Sequence, residues 1–194
     1  MKLILASASP RRFEILKNIV SDFEVLPSDV EEQEPNINKD DDNYAINLCM
    51  ALALKKAQSV FEKYGNVVLG ADTLVFLNQT ILGKPQSEKQ AFNTLKQLSG
   101  KTHTVITGIS LVSDQKTITD YDQSFVTFPN LSDQQIIDYI QNYRPYDKAG
   151  AYGLQEIINI WDVKYTGSYT NILGLPEDKV NQMLSLMEGI LCQR

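Results

Sequence analysis

Apolar and polar positions change period several times along the chain, and each change marks an element. Lys2 to Ala6 is a short apolar run, and Pro10 to about Val20 carries helical spacing, so the chain is expected to open with a strand, a small-residue turn and a helix. Phe23 to Leu26 reads as a second strand ended by Pro27. From Asn43 to Tyr64 a long helix is predicted, with Ile46, Met50, Ala53, Leu54, Ala57 and Phe61 along one stripe and Gly65 as its stop. Val67 to Ala71 is all apolar, which predicts a buried central strand with Asp72-Thr73 at its end. A hairpin should follow, from Leu74–Leu77 through Asn78-Gln79 to Thr80–Leu82. Ser87 with Gln90, and Ser132 with Gln135, have the spacing of capping boxes before helices ending near Leu98 and Tyr143. Between them, β-branched alternation over Thr102–Val112 and Thr117–Phe128 predicts paired strands. Ile157 to Val163 reads as a further strand and 167–171 as a polar loop. Pro176 then opens a last helix striped by Val180, Met183, Leu184, Met187, Ile190 and Leu191. Strands alternating with helices place the chain in the α/β class.

Length and charge narrow this picture. The 194 residues, 43% hydrophobic and 22% charged, suffice for one sizeable core or for two lobes sharing one, and one domain over 1–194 is expected. A net charge of -6 argues against a nucleic acid polymer as partner, because such binding draws on a basic footprint. Cys49 and Cys192 have no CxxC spacing and read as free thiols. The N-terminal apolar run is too short for a signal peptide, and no stretch approaches the roughly 20 apolar residues of a membrane span, so the cytoplasm is the expected location.

Candidate chemistry is concentrated in a few turns. Ser7-Ala8-Ser9-Pro10-Arg11-Arg12 joins a strand to a helix: Ser9 can cap, Pro10 suits the first helical position, and the helix N-terminus with two guanidiniums can hold phosphate. The alternative is a capped surface helix with solvated arginines. Asp72, placed at a sheet rim, is a candidate base or metal ligand, or else a turn cap. The segment from Asp29 to Asp42 has seven acidic residues against one lysine; it reads as a solvated loop in which Glu31-Glu32 could help hold a divalent metal. Lys84, fixed between Gly83 and Pro85, suits a phosphate contact. In Asp147–Gln155, two glycines and two alanines let backbone approach a ligand, Lys148 offers a cation, and the Gln155 amide can read a base edge. His103, the single histidine, lies in a predicted strand, where packing or hydrogen bonding is the simpler role.

Taken in order, Ser7–Arg12, Val30-Glu31-Glu32-Gln33, Lys56-Ala57, Leu69–Thr73, Gly83-Lys84-Pro85, Leu98-Ser99-Gly100, Thr107-Gly108, Lys148–Gln155 and Gly174-Leu175-Pro176 resemble the Maf family of nucleoside triphosphate pyrophosphatases, also discussed as septum-formation inhibitors. The resemblance covers nearly the whole chain. It implies an inosine triphosphatase-like fold, with two lobes around a cleft and a long twisted mixed sheet. The implied reaction cleaves a nucleoside triphosphate between the α and β phosphates with a divalent cation, Mg or else Mn or Co. By the same pattern Asp72 accepts the proton of water, and Arg11, Thr73 and Gln155 bear on substrate choice. Ser7, Arg12, Lys56, Lys84 and Lys148 would hold the triphosphate, while Glu32, with Asp72, would support metal or water. A homodimer is also implied.

Thr73 and Gln155 resemble the branch acting on dTTP and UTP; the branch acting on 7-methyl-GTP shows Asp-Gln and Glu-Ser at these places. Glu156 departs from the usual glycine and adds a negative charge beside a polyanion site, which leaves base preference open. Two other readings stand beside hydrolysis: a nucleotide-binding regulator of cell division without turnover, and a nucleotidyltransferase.

Overall fold

A computed structural model of the chain describes residues 2–30, 41, 43–78 and 80–191, with the side chains of 188–191 left out. Its strands are β1 (Leu3–Leu5), β2 (Phe23–Val25), β3 (Val67–Leu77), β4 (Thr80–Leu82), β5 (Thr102–Val112), β6 (Thr117–Thr127) and β7 (Lys164–Thr166). The helices are α1 (Pro10–Ile19), α2 (Tyr44–Tyr64), α3 (Glu88–Leu98), α4 (Asp133–Tyr143), α5 (Leu154–Ile157), α6 (Tyr169–Leu173) and α7 (Glu177–Leu191). The strands form one mixed sheet in the order β2-β1-β3-β5-β6-β7, with β4 antiparallel to the far end of β3. This is the α/β architecture that the alternation of elements predicts. No helix among the described residues is long and apolar enough to cross a membrane.

The chain divides into two compact units. The first comprises 1–73, 107–122 and 169–194, and the second 74–106 and 123–168. In the first, β1 pairs in parallel with both β2 and β3. Successive side chains of a strand face opposite ways, and the core follows that rule. Leu3, Leu5, Leu69 and Ala71 pack against Ile15 and Leu16 of α1 and Val180, Met183 and Met187 of α7. Ile4, Ala6 and Val68 pack against Ala57 and Val60 of α2 on the other face. Helices on both faces explain why these strands read as unbroken apolar runs.

Helix α2 lies unusually close to its sheet. A Cβ on Gly70 would come within 2.4 Å of the Ala53 carbonyl oxygen and 2.8 Å of the Ala57 nitrogen. A Cβ on Gly108 would sit 2.5 Å from the Cys49 carbonyl. Only glycine fits at either contact. The buried Cys49 thiol then joins the layers: Sγ–H donates to the Asp72 carbonyl at 3.1 Å, and Sγ accepts from the Gly108 N–H at 3.0 Å.

In the second unit α3 packs on α4, and the core is aromatic. His103, Tyr152 and Trp161 each meet Phe128 edge-on, and Tyr139 packs against Trp161 with centroids 5.0 Å apart. His103 Nε2 lies 2.7 Å from the Tyr152 hydroxyl, the packing role expected of a strand histidine.

Four sequence expectations are corrected. β3 runs unbroken through Asp72-Thr73, so Asp72 lies within the strand; the strand continues because both polar side chains find partners inside the fold. Residues 157–163 are not a strand. α5 ends at Ile157 and a helical turn follows, with Trp161 N–H donating to the Ile157 carbonyl at 2.8 Å, and this turn still buries Ile157, Trp161 and Val163. The loop at 167–171 contains most of α6. Gln90 Oε1 accepts from Gln86 N–H rather than from the cap residue, so Ser132 with Gln135 closes a reciprocal box and Ser87 with Gln90 does not.

Gly70→Ala is expected to lower stability by about 2–3 kcal/mol, the scale of overpacking against backbone that cannot move aside; an unchanged urea midpoint would contradict the close contact. The second unit carries a pH dependence. Burial pushes the His103 pKa from 6.5 down to about 4, so below pH 6.5 the unfolded chain binds a proton that the folded one refuses. Stability present above pH 6.5 is therefore lost as pH falls through about 4, by ~3 kcal/mol, and His103→Gln should remove that slope in urea melts from pH 7 to 4.

Candidate active site

In the first unit, the turn after β1 and the start of α1 are organised by two serines. Ser9 caps the helix, its Oγ accepting from Arg12 N–H at 3.5 Å, and Pro10 occupies the first turn. Ser7 Oγ accepts from Ser9 N–H at 3.3 Å and from Arg12 Nη1 at 3.1 Å. Arg12 is bound at three nitrogens: besides Ser7, Nη2 donates to Thr73 Oγ1 at 3.0 Å and Nε to the Gly174 carbonyl at 2.8 Å. Those contacts fix the guanidinium plane. Gly174 has φ +107, a conformation that residues with a side chain rarely adopt, and a Cβ there would stand a tight 3.1 Å from Thr73 Oγ1.

One residue before Thr73, Asp72 is only 7% exposed, and its Oδ1 accepts from Lys56 Nζ at 2.5 Å. Lys56 reaches it because the glycine contacts bring α2 down onto β3. Ser7, Arg12 and Thr73 thus form one connected group, Lys56 and Asp72 a second at adjacent positions of the same strand. Arg11 lies half-buried in the first turn of α1.

In the second unit, the loops carrying Lys84 and Lys148 are joined: Gly150 N–H donates to the Gly83 carbonyl at 3.2 Å. Lys84 is exposed, whereas Lys148 is 8% exposed, with its Nζ 2.8 Å from Asp147 Oδ1 and 3.4 Å from Glu156 Oε1. Glu156 Oε2 accepts from the Tyr139 hydroxyl at 2.5 Å, and that hydroxyl accepts from Gly153 N–H at 3.0 Å. Burial, with the Glu156 hydrogen bond, drives the Tyr139 pKa upward. The extra charge of Glu156 is therefore engaged by an ammonium and a phenol. The Gln155 Oε1 is buried without a hydrogen-bond partner.

The expected metal ligand Glu32 and the motif Val30–Gln33 around it, apart from Val30, lie outside the described residues, as does Cys192. Among the described residues, no group of three or more His, Cys, Asp or Glu could hold a metal ion. The sequence gives no sign of the contacts that Thr107 makes with Asn171 or the Gly174 carbonyl with Arg12. Thr107 and Gly174 stood only in the short motifs Thr107-Gly108 and Gly174-Leu175-Pro176, and Asn171 only in the polar stretch 167–171.

Among curated relatives, a dTTP/UTP pyrophosphatase of Thermosipho africanus (strain TCF52B) is 46% identical over 184 residues, covering 95% of this chain and 92% of its own. One of Caldicellulosiruptor saccharolyticus is 39% identical over 203 residues, covering 98% and 99%. One of Clostridium tetani (strain Massachusetts / E88) is 42% identical over 189 residues, covering 96% and 98%. Among solved structures, a nucleoside-triphosphatase / dITP/XTP pyrophosphatase from Mycobacterium abscessus matches with a TM-score of 0.46 and 15% identity, over 68% of this chain and 76% of that one. The model described as Maf-like protein matches residues 2–187, through every segment that carries Arg12, Asp72 and Lys148, and the chain belongs to the Maf family.

Proposed function

We propose that this protein hydrolyses nucleoside triphosphates, dTTP and UTP foremost, to the monophosphate and pyrophosphate. The observation that carries the reading is the buried Asp72 carboxylate, held by Lys56 and one residue from the Arg12–Thr73 contact. Lys56 fixes Oδ1, and the second oxygen is assigned to orienting water. The water oxygen attacks the α-phosphorus in line, its proton passes to Asp72, and the bond from that phosphorus to the α,β-bridging oxygen breaks to release pyrophosphate.

The polyphosphate needs donors and positive charge. In the first unit Arg12 offers a planar guanidinium with fixed orientation and Lys56 an ammonium; in the second, Lys84 and Lys148 are the family pattern's further candidates for phosphate contacts. Ser7 Oγ already accepts two hydrogen bonds, so its own hydrogen is what it gives to a phosphate oxygen. A divalent cation, Mg, Mn or Co, would supply charge neutralisation and activate water when bound. The donor set fits one: Mg takes one or two carboxylates and completes its shell with substrate phosphates and waters, so Asp72 would hold it, with Glu32 as the family's second candidate.

Base choice is assigned to Gln155, with Arg11 and Thr73 contributing. A buried acceptor without a partner calls for a donor from the ligand. Thymine and uracil present an N3–H on their pairing edge, while cytosine presents a bare acceptor at N3. That complementarity favours dTTP and UTP, as the names of the relatives do.

Asp72→Asn should keep the far-UV circular dichroism spectrum and lose at least ~100-fold in rate, the lower range for removal of a general base. Near-normal pyrophosphate release from dTTP with magnesium would refute the assignment, and tight dTTP binding by the wild type without any product would favour the regulator. Gln155→Leu should cut the preference for dTTP over dCTP by about tenfold, the worth of one hydrogen bond. An unaltered ratio of kcat/KM values would remove Gln155 from base recognition.

A further inference from the structure

Chemistry assigns the hydrogen-bond direction along one buried line in the first unit, because the line ends on a carbonyl, which can only accept. Thr107 Oγ1 is fully buried and donates to the Asn171 carbonyl at 2.9 Å. A hydroxyl has one hydrogen, so Thr107 has none left for Thr73, whose Oγ1 lies 3.0 Å away. Thr73 must therefore donate to Thr107. Its oxygen is thereby turned to accept, which is what Arg12 Nη2 requires at 3.0 Å. The line runs Arg12 to Thr73 to Thr107 to the carbonyl of Asn171, every member donating in one direction. Such chains polarise their members and strengthen one another. It ends in α6, whose following residue Gly174 binds Arg12 Nε at 2.8 Å.

We propose that Thr107 is a positioning residue for the nucleotide's phosphates: by giving its hydrogen to Asn171 it takes the Thr73 hydrogen as acceptor, holds that hydrogen away from Arg12, and so helps set the plane of the guanidinium. This rests on the reading of Arg12 as a phosphate contact. Thr107 touches no phosphate itself; its effect passes through Thr73. Without the hydroxyl at 107, the Thr73 hydrogen loses its buried acceptor, and the Thr73 oxygen is no longer held at the angle that Arg12 Nη2 uses. Serine at 107 would preserve the direction, and valine would abolish it at nearly constant volume.

The test uses inorganic pyrophosphate as probe, measured by calorimetry with magnesium on the full chain. Thr107→Val should bind about tenfold more weakly, the loss associated with a hydrogen bond to a charged group, while Thr107→Ser should stay within about twofold of wild type. Because Thr107 acts through Thr73, the Thr73→Val/Thr107→Val pair should bind no more weakly than Thr73→Val alone. Multiplying losses, or an unchanged affinity in Thr107→Val, would overturn the proposal. Should Thr107→Val fail to fold, Thr73→Val cuts the same line, and its unchanged affinity would overturn it equally. If the wild type binds neither pyrophosphate nor dTTP, the functional reading fails instead. The line is then judged by exchange of the Arg12 Nε–H proton in NMR, which should be faster in Thr107→Val than in wild type and Thr107→Ser, and equal rates would overturn it.

Discussion

The contact of α2 with the sheet at Gly70 and Gly108 is the constraint on which the first unit depends. Helix and strand backbones meet there at distances no side chain permits. The contact does more than bury surface. It places Cys49 where its thiol can satisfy backbone groups of both β3 and β5, and places Lys56, two turns further along, at the carboxylate of Asp72. A helix standing off by the thickness of a methyl group would leave Asp72 as a buried charge without its ammonium, which is among the costliest arrangements a core can contain.

A polar dipeptide inside a buried strand is tolerable only with partners, and β3 shows how they are provided. Asp72 points to α2 and Lys56; Thr73 points to Arg12 and Thr107. Alternation along the strand thus sends neighbouring residues to two different networks. The carboxylate is paired by charge, and the hydroxyl is locked by direction. Both are oriented before any ligand arrives, and preorganised polar groups are what phosphoryl chemistry draws upon.

Glu156 illustrates how a departure from the family pattern is accommodated. A negative side chain close to Lys148, a candidate phosphate contact, looks disruptive in sequence. In the fold its two oxygens are engaged by Lys148 and Tyr139, and Tyr139 in turn takes the N–H of Gly153. The loop carrying Lys148 is therefore held by a polar network.

Much of the fold was legible from residues 1 to 194 alone, because apolar period and punctuation are local properties. The first strand and helix, the long second helix, its stop at Gly65 and the paired strands around residue 114 all follow from spacing. Ser7, Arg12, Asp72 and Lys148 stood out by type and turn context, whereas Lys56, a lysine within a helix, was a candidate only through the family resemblance. Sequence erred where tertiary partners decide the outcome. Asp72-Thr73 reads as the end of a strand because a polar pair normally stops one, and only Lys56, Arg12 and Thr107 allow it to continue. Ile157 to Val163 has the composition of a strand, but the aromatic core is reached by a helical turn instead. Thr107 is an ordinary strand threonine by any local measure. Its orientation of Thr73 depends on a carbonyl 64 residues away, and which hydrogen points where is settled only when those segments meet in space.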